Sequence, residues 1–222
     1  MNDNRSAYQA RDYDGHISSV LPFYREYHSQ VIDLIKATGN PSPHWLDTGC
    51  GTGTLALRAG EEIPGAHFTL CDPSEKMLGE AREKLRGKDV TFLNLSSQEL
   101  SFSRQFDVVT AIQCHHYLTL PQREEAIKRC YEALKESGIF ITFENIRLST
   151  EESDALGLRR WTGFLEDHGN PREEIERQLT RRGTEVRPIT LEQHLALLKS
   201  CGFRSCDVLW ASYLQAGFFA IR

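Results

Sequence analysis

Three glycines at alternate positions, between an apolar stretch and a helical one, constrain the fold of this chain more than any other feature. Residues 44–48 have the short apolar pattern of a buried strand, Gly49, Gly51 and Gly53 follow, and the pattern turns helical from Thr54. Glycine permits positive φ and a close approach of the backbone to a ligand, and the first turn of a helix offers unpaired N–H groups. The stretch therefore predicts a strand–turn–helix corner that receives an anion or a nucleotide. Similar turns occur in nicotinamide and flavin enzymes, so the corner alone leaves the ligand undecided.

Strand-like and helix-like patterns alternate after this corner. Such alternation is typical of an α/β fold, and it predicts a doubly wound, mostly parallel seven-stranded sheet with an antiparallel final strand. In sheets of this kind, ligands bind beyond the carboxyl ends of the strands. The predicted strands are 44–48, 67–72, 90–95, 106–112, 139–143, 207–210 and 215–221, and the predicted helices of this part are 54–62, 74–85, 121–135 and 190–198.

Two helical segments are expected to lie over the sheet as lids. The aromatic stretch 13–35 predicts two short helices broken near Pro22, because proline is not tolerated inside a helix. The charged segment 147–187 predicts a helical insertion, and residues 1–12 are polar and expected to be mobile. The apolar residues expected to turn inward from the insertion are Leu156, Trp161, Phe164 and Leu165. We interpret 1–222 as one domain, with an N-terminal helical lid over 1–38, a ligand-binding core over 39–146, the helical insertion over 147–188, and a C-terminal helix and closing strands over 189–222.

Composition excludes several classes of protein. With 222 residues, of which 40% are hydrophobic and 26% charged, the chain can bury a sizeable core. No apolar run approaches the roughly 20 residues that a membrane span needs, and the polar start lacks a signal-peptide core, so a cytoplasmic location is expected. The net charge of −5 argues against non-specific coating of nucleic acid. Six cysteines without a CxxC pair predict reduced, buried thiols, and no metal site is predicted.

An acidic residue at the end of the second predicted strand bears on the ligand. Asp72 follows the run 67–71 and precedes Pro73 and Ser74, which opens the next helix. An aspartate there could simply belong to the turn. In doubly wound folds, however, an acidic side chain at this place accepts hydrogen bonds from a ribose. Since the glycine corner lies one strand–helix unit earlier, we favour the ribose-binding interpretation.

Five motifs in order resemble those of the class I S-adenosylmethionine-dependent methyltransferases, and the resemblance covers nearly the whole chain. One such motif would be weak, whereas five with suitable spacing are specific. They are Leu-Asp-Thr-Gly-Cys-Gly-Thr-Gly from position 46, Cys-Asp-Pro-Ser-Glu-Lys-Met-Leu from 71, Phe-Asp-Val-Val-Thr-Ala-Ile from 106 with His-His-Tyr-Leu from 115, Leu-Lys-Glu-Ser-Gly-Ile-Phe-Ile from 134, and Ala-Gly-Phe-Phe-Ala-Ile-Arg from 216.

The resemblance implies S-adenosylmethionine as cofactor, S-adenosylhomocysteine as product, and a set of cofactor-binding residues. Ser96 and Ser97 stand where the family often has an acidic residue facing the adenine amino group, which suggests contact through backbone or hydroxyl groups here. The other implied contacts are Gly49, Cys50 and Gly51 to the methionine part, Asp47 to the ammonium, Asp72 to the ribose, Pro73 and Met77 to the adenine, and Ile112 and Gln113 below the sulfonium.

The N-terminal motif Tyr-Asp…Ile…Leu-Pro-Phe-Tyr, residues 13–24, and the last third also resemble a subgroup that includes the bacterial transferase making carboxymethoxyuridine at the tRNA wobble position. By this resemblance Tyr24 lies near the methionine end of the cofactor. That enzyme uses an arginine to hold the extra carboxylate of carboxy-S-adenosylmethionine, and an ungapped match places Leu179 there, with Arg177, Arg181 and Arg182 close by. We take Leu179 as favouring ordinary S-adenosylmethionine.

The sequence assigns no catalytic residue. A base is needed only if the acceptor is protonated, as in a hydroxyl or an ammonium group. Candidates by position are His16, His115, His116 and Glu144, and a metal shared by the two adjacent histidines is not predicted. Residues that could line an acceptor pocket, or equally serve core and lid packing, are Tyr13, His116, Trp161 and His168.

Three functions remain open. The first is methyl transfer to a small-molecule acceptor under the lids. The second is modification of RNA such as tRNA, by methyl or carboxymethyl transfer, which would use a basic rim. The third is a non-catalytic or nicotinamide-binding domain, against which the antiparallel ending and Asp47 before the glycines argue. A homodimer is left open. The arginines that could supply the rim are Arg159, Arg160, Arg172, Arg177, Arg181 and Arg182, interspersed with glutamates.

Overall fold

A computed structural model describes residues 9–222, and it contains a seven-stranded sheet with helices on both faces. The strand order is β3-β2-β1-β4-β5-β7-β6, and β7 runs antiparallel to both of its neighbours while the other pairs are parallel. The predicted fold class, including the antiparallel final strand, is confirmed. The strands are β1 (His44–Thr48), β2 (His67–Cys71), β3 (Val90–Leu93), β4 (Phe106–Ile112), β5 (Leu134–Asn145), β6 (Ser205–Ser212) and β7 (Gln215–Ile221). The helices are α1 (Ala10–Val20), α2 (Tyr24–Ala37), α3 (Thr54–Glu62), α4 (Glu75–Lys84), α5 (Leu120–Ala133), α6 (Glu151–Asp167), α7 (Arg172–Arg181) and α8 (Leu191–Ser200).

The sheet buries apolar side chains on both faces, as a parallel sheet covered by helices must. On one face Phe140 and Phe218 pack with residues of α5 and α8. On the other face Trp45 and Phe143 pack with residues of α2 and α3, and all four of these aromatic side chains are fully buried. The order of strands reverses between β1 and β4, so a crevice for ligands opens at their carboxyl ends.

The lid helices lie over these carboxyl ends. Trp161 of α6 donates a hydrogen bond from Nε1 to the Val20 carbonyl of α1 at 2.9 Å, and it packs with Leu165, Ile175 and Leu214. Lys84 of α4 bonds Asp14 and two threonines of the glycine corner, which ties α1 to the core. No helix of the described residues is both long and apolar enough to cross a bilayer.

Three details differ from the expectations. Leu156 does not turn inward: its side chain is 61% exposed, while Trp161 and Leu165 of the same helix are buried. Residues 10–12 belong to α1, and the rest of the expected mobile start, residues 1–8, lies outside the described part of the chain. The helix expected to reach residue 135 ends at Ala133, because Leu134 already pairs with Phe106 of β4.

Candidate functional site

The glycine corner adopts the backbone that its residues predict. Gly49, Gly51 and Gly53 have φ values of 67°, 55° and 75°, in the left-handed region that favours glycine. A Cβ on Gly49 would lie 2.6 Å from Cβ of Cys114, so the corner packs against the loop after β4. Gly51 N–H donates a hydrogen bond of 2.9 Å to Oδ2 of Asp72, which joins the ends of β1 and β2. The corner is therefore a fixed surface that a ligand can approach closely.

Asp72 is placed to hold a diol. Its Oδ2 accepts from Gly51, and its Oδ1 accepts from Ser74 N–H at 2.8 Å. Ser74 in turn caps α4 by accepting from Met77 N–H at 3.2 Å. A carboxylate has about four lone-pair sites, so the carboxylate of Asp72 can accept more hydrogen bonds than these two from the backbone.

These groups border a cavity at this end of the sheet, which we call the glycine cleft. Its volume of about 470 Å³ lies in the range of ligand pockets, roughly 300–1,000 Å³. Nine of the residues that the sequence predicted to bind a cofactor line it: Gly49, Gly51, Asp72, Pro73, Met77, Ser96, Ser97, Ile112 and Gln113. Lining residues that sequence reasoning missed in this role are Gln98, Glu99, Cys114, His115, Tyr117 and Leu118.

Glu99 shows what the departure at Ser96 and Ser97 means. Its Oε2 accepts from the backbone N–H and the hydroxyl of Ser96, at 2.8 and 2.6 Å, in a capping box around a short 3₁₀ turn. These bonds lower the pKa of the Glu99 carboxyl. The cleft thus has an acidic side chain, three residues after Ser96 and two after Ser97. The Ser-x-x-Glu spacing is a capping-box signal and could have identified it from sequence.

A small rear cavity lies behind the glycines, and it contains the other predicted cofactor contacts. Tyr24, Asp47 and Cys50 line this space of about 40 Å³ together with Gly49 and Gly51. Burial raises the pKa of Asp47 to about 7, although Thr110 donates a hydrogen bond of 2.6 Å to its Oδ1. An ammonium group placed here would stabilise the ionised form of Asp47. All twelve predicted cofactor residues therefore line the glycine cleft or the rear cavity, and their individual roles stay predictions.

Three amide side chains fix the end of β4. Gln113 Nε2 donates to Gln215 Oε1 at 2.9 Å, Gln215 Nε2 donates to Asn145 Oδ1 at 2.9 Å, and Asn145 Nδ2 donates to Gln113 Oε1 at 3.3 Å. This closed ring joins β4, β5 and β7 and holds Gln113 at φ 56°, a conformation that non-glycine residues rarely adopt. In this position Gln113 borders both the glycine cleft and the rear cavity.

A third space, the inner pocket, lies between the sheet ends and the lid helices. It has a volume of about 60 Å³, and it brings together Tyr13 of α1, His116 after β4 and Trp161 of α6, which are three of the four residues that could line an acceptor pocket by the sequence. Tyr13, Gln113 and Tyr117 line both the inner pocket and the glycine cleft, so the two spaces adjoin. Arg181 and Arg182 line the inner pocket too, whereas Leu179 packs in the lid beside Trp161.

The candidate bases and His168, the fourth residue expected at an acceptor pocket, occupy different environments. His16 and His168 are exposed, bond backbone carbonyls through Nδ1 and line none of the three spaces. His115 lines the glycine cleft and bonds Ser97 through Nε2 at 2.9 Å. His116 bonds Glu144 through Nδ1 at 2.8 Å. Burial lowers the pKa of His115 to about 4, so His115 is neutral at physiological pH.

Comparison with known proteins adds sequence and fold relatives. Residues 46–138 match the family model of a methyltransferase domain. The carboxy-S-adenosyl-L-methionine synthase of Nautilia profundicola is 24% identical over 95% of this chain and 90% of that protein. The protein of the same name from Staphylococcus epidermidis is 23% identical over 98% and 96% of the two chains. The N-methyltransferase NodS of Bradyrhizobium japonicum, solved with S-adenosyl-l-homocysteine, superposes with a TM-score of 0.66 at 15% identity and covers 96% of this chain and 94% of its own.

The residues of the glycine cleft and the rear cavity fit S-adenosylmethionine. Asp72 can accept from the ribose hydroxyls, Asp47 can pair with the ammonium, and the glycine corner has no side chains to block the methionine part. The domain match, the full-length relatives and the strand order agree with this chemistry. These findings support a class I S-adenosylmethionine-dependent methyltransferase, and S-adenosylmethionine is the cofactor.

Proposed function

We propose that this enzyme transfers a methyl group to a small molecule whose reacting atom occupies the inner pocket. The observation that carries the proposal is the adjacency of the two spaces: the inner pocket meets the glycine cleft at Tyr13, Gln113 and Tyr117, next to Ile112. By the family resemblance the sulfonium lies above Ile112 and Gln113 at the end of the fourth strand, next to these residues. An acceptor entering from the lid side would therefore meet the donor at this junction.

S-Adenosylmethionine supplies a methyl group already activated on a sulfonium, so the protein mainly has to align the reactants in a dry site. Alignment of this kind can contribute roughly 7–11 kcal/mol to lowering the barrier. The amide ring fixes Gln113 on one side of the junction, and the α1–α6 contact through Trp161 closes the other. The side chain of Tyr13 in the lid forms a hydrogen bond with that of Tyr24, and the Tyr24 ring makes an edge-to-face contact with His28. These contacts connect the lid to the rear cavity.

The size and charge of the inner pocket favour a small acceptor. At about 60 Å³ the space is far below the roughly 300 Å³ of typical ligand pockets, so it admits only the reacting group of an acceptor. A larger part of the acceptor can enter only if α1, α6 and α7 move apart. The arginines expected to form a basic rim are mostly paired: Arg172 with Glu176, Arg177 with Glu174, Arg181 with Glu185 and Arg182 with Asp154. This pairing weakens the case for RNA.

A second candidate is an enzyme that makes or uses the carboxylated cofactor. The relatives are named carboxy-S-adenosyl-L-methionine synthase. Arg181 lines the inner pocket, hydrogen-bonds Tyr117, and pairs with Glu185, which is 60% exposed. Because an exposed partner is readily replaced by a ligand carboxylate, the identity of Leu179 loses its weight as an argument for ordinary S-adenosylmethionine. Arg182 is less available, since it bonds both Asp154 and the Ile146 carbonyl.

An acceptor screen distinguishes the candidates. Purified enzyme is incubated with S-adenosylmethionine and a panel of small phenols, amines, thiols and carboxylic acids, and in parallel with a tRNA transcript, while formation of S-adenosylhomocysteine is measured. The proposal expects turnover with a member of the small-molecule panel and none with tRNA. Parallel calorimetric titration with carboxy-S-adenosylmethionine tests the second candidate: tighter binding of that form, lost in Arg181→Gln and kept in the exposed-site control Arg172→Gln, would overturn the first proposal.

A further inference from the structure

The pair formed by His116 and Glu144 lies at the wall of the inner pocket. His116 follows β4 in a short 3₁₀ turn, Glu144 lies near the end of β5, and both side chains are at most 2% exposed. Oε2 of Glu144 lies 2.8 Å from both Nδ1 and the backbone nitrogen of His116. The backbone N–H of Asn145 also points at Nδ1, but at 3.4 Å, so the shorter contact decides the tautomer.

That contact fixes which ring nitrogen of His116 carries the hydrogen. A carboxylate accepts hydrogen bonds and donates none, so Nδ1 of His116 must be the donor to Glu144. In the neutral ring Nε2 is then the free acceptor. Among residues 9–222 no hydrogen bond to this Nε2 is made, and His116 lines the inner pocket with Tyr13 and Trp161. His115 differs in this respect, since its Nε2 is held by Ser97 at the glycine cleft.

Glu144 is held as an anion by groups on several elements. It accepts from Thr142 Oγ1 at 2.7 Å and from the backbone N–H of His115 at 3.3 Å, in addition to the two bonds from His116. Burial opposes its ionisation, but the hydrogen bond and charge of His116, with His115 and Arg123, outweigh burial and lower the pKa of Glu144 to about 2. Other titratable groups facing this cluster are Cys114 and Tyr117, whose pKa values burial raises, and His194 of α8, whose pKa burial lowers to about 4.

We propose that His116 is the base of the transfer, that Glu144 positions it, and that the acceptor therefore reacts through a hydroxyl or protonated amine. This inference rests on the proposed function. The acceptor O–H or N–H gives its proton to Nε2 of His116, while the freed lone pair forms a bond to the methyl carbon. The carbon–sulfur bond breaks and its electron pair stays on sulfur. The resulting imidazolium is stabilised by the Glu144 carboxylate.

The first arm of the test needs no acceptor and reads the ring directly. ¹⁵N-labelled histidine in the full chain, observed by long-range ¹H–¹⁵N NMR without ligand, should show His116 with a protonated Nδ1 and an unprotonated Nε2. Glu144→Gln replaces the carboxylate by an amide that can also donate, so it should lower the population of the Nδ1–H tautomer of His116, and His168→Asn should leave that population unchanged. An Nε2–H tautomer for His116, or a tautomer population unchanged in Glu144→Gln, overturns the proposal whether or not an acceptor is known.

The second arm measures transfer. His116→Asn keeps a side-chain N–H at the place of Nδ1 for Glu144, yet it has no counterpart of Nε2. With the small-molecule acceptor found in the screen, kcat should fall about 10²–10⁴-fold, the usual contribution of a general base, with KM nearly unchanged. The acid limb of the pH–rate profile should disappear. His168→Asn should match the unmodified enzyme.

Equal kcat in His116→Asn and the unmodified enzyme contradicts the inference. If the unmodified enzyme does not bind S-adenosylmethionine, that result instead contradicts the proposed function. A failure of this inference and a failure of the proposed function therefore give different results.

Discussion

The glycine cleft and the inner pocket adjoin, yet the chain builds them in different ways. The cleft is made mainly by backbone and short side chains at the ends of neighbouring strands, and Gly51 and Asp72 join two of those ends directly. The inner pocket is made by side chains from α1, α6 and α7, with Trp161 bonding the Val20 carbonyl across 141 positions of sequence. The cofactor of such a chain can therefore be predicted from its sequence, because the cleft depends on local motifs. The acceptor cannot, because the inner pocket depends on how the lid helices pack.

Changes in the cleft should affect cofactor binding most. Gly49→Ala forces a Cβ at φ 67° to within 2.6 Å of Cβ of Cys114, so the corner must shift. We expect S-adenosylmethionine to bind at least about 100-fold more weakly, with a loss of about 1–3 kcal/mol in the free energy of unfolding from the strained backbone. Calorimetry and urea denaturation measure the two effects.

The matched control is Gly79→Ala, since Gly79 lies in α4 with open space around its Cβ position. This change should leave cofactor binding intact and raise the free energy of unfolding by roughly 0.5–1 kcal/mol. Similar losses of affinity for S-adenosylmethionine in Gly49→Ala and Gly79→Ala would contradict the special role of the glycine corner.

The pH dependence of cofactor binding should come from the rear cavity. Burial raises the pKa of Asp47 to about 7, above its ordinary value of 3.8, so the folded, ligand-free protein binds a proton that the unfolded chain releases. Asp47 therefore lowers the free energy of unfolding progressively as pH rises from about 4 to about 7. The cofactor ammonium needs the ionised form, so affinity should rise up to about tenfold per pH unit below pH 7.

At pH 6, binding of S-adenosylmethionine should therefore release the proton of Asp47. Calorimetry in buffers of different ionisation enthalpy measures this release. Asp47→Asn should bind more weakly and lose both the proton release and the pH slope. Proton release that persists in Asp47→Asn would assign the titration to another group.

Changes in the inner pocket should spare the cofactor. Trp161→Phe removes the N–H that bonds Val20 O at 2.9 Å, which costs about 1 kcal/mol in the free energy of unfolding and loosens α6 against α1. We expect the dissociation constant of S-adenosylmethionine to stay within about twofold, a difference of less than 0.5 kcal/mol, while KM for the acceptor rises. Steady-state kinetics with the acceptor from the screen measures the change. A large loss of cofactor affinity would show that the two sites are not separable.

The smallest effect is expected at Leu156. Since its side chain is 61% exposed, Leu156→Ser should change the free energy of unfolding by no more than about 0.5 kcal/mol. Leu165→Ser in the same helix buries a hydroxyl at a fully buried position, so it should cost several times more. Chemical denaturation of both variants compares them, and equal losses would contradict the assigned face of α6.

Sequence reasoning succeeded where one element dictates its own geometry. The glycine corner, the Ser74 cap and the Thr190–Gln193 capping box at the start of α8 follow from residues a few positions apart. It failed at Leu156, because the helical period alone does not say which stripe of a charged lid helix faces inward. The Gln113–Asn145–Gln215 ring and the Arg181 side chain in the inner pocket depend on strand pairing and on the placement of α7, which no local pattern specifies.

The most direct test of the central claim is calorimetric titration of the enzyme and its Asp72→Asn variant with S-adenosylmethionine, S-adenosylhomocysteine and NAD. Asp72 is expected to accept from two ribose hydroxyls. The loss of hydrogen bonds to a charged group, each contributing about 1.5–3 kcal/mol, should weaken binding of the first two ligands at least about 100-fold. The exposed-site variant Asp89→Asn should bind like the unmodified enzyme, and NAD should not bind. Equal affinity of Asp72→Asn and the unmodified enzyme for S-adenosylmethionine, or tight binding of NAD, would contradict the account.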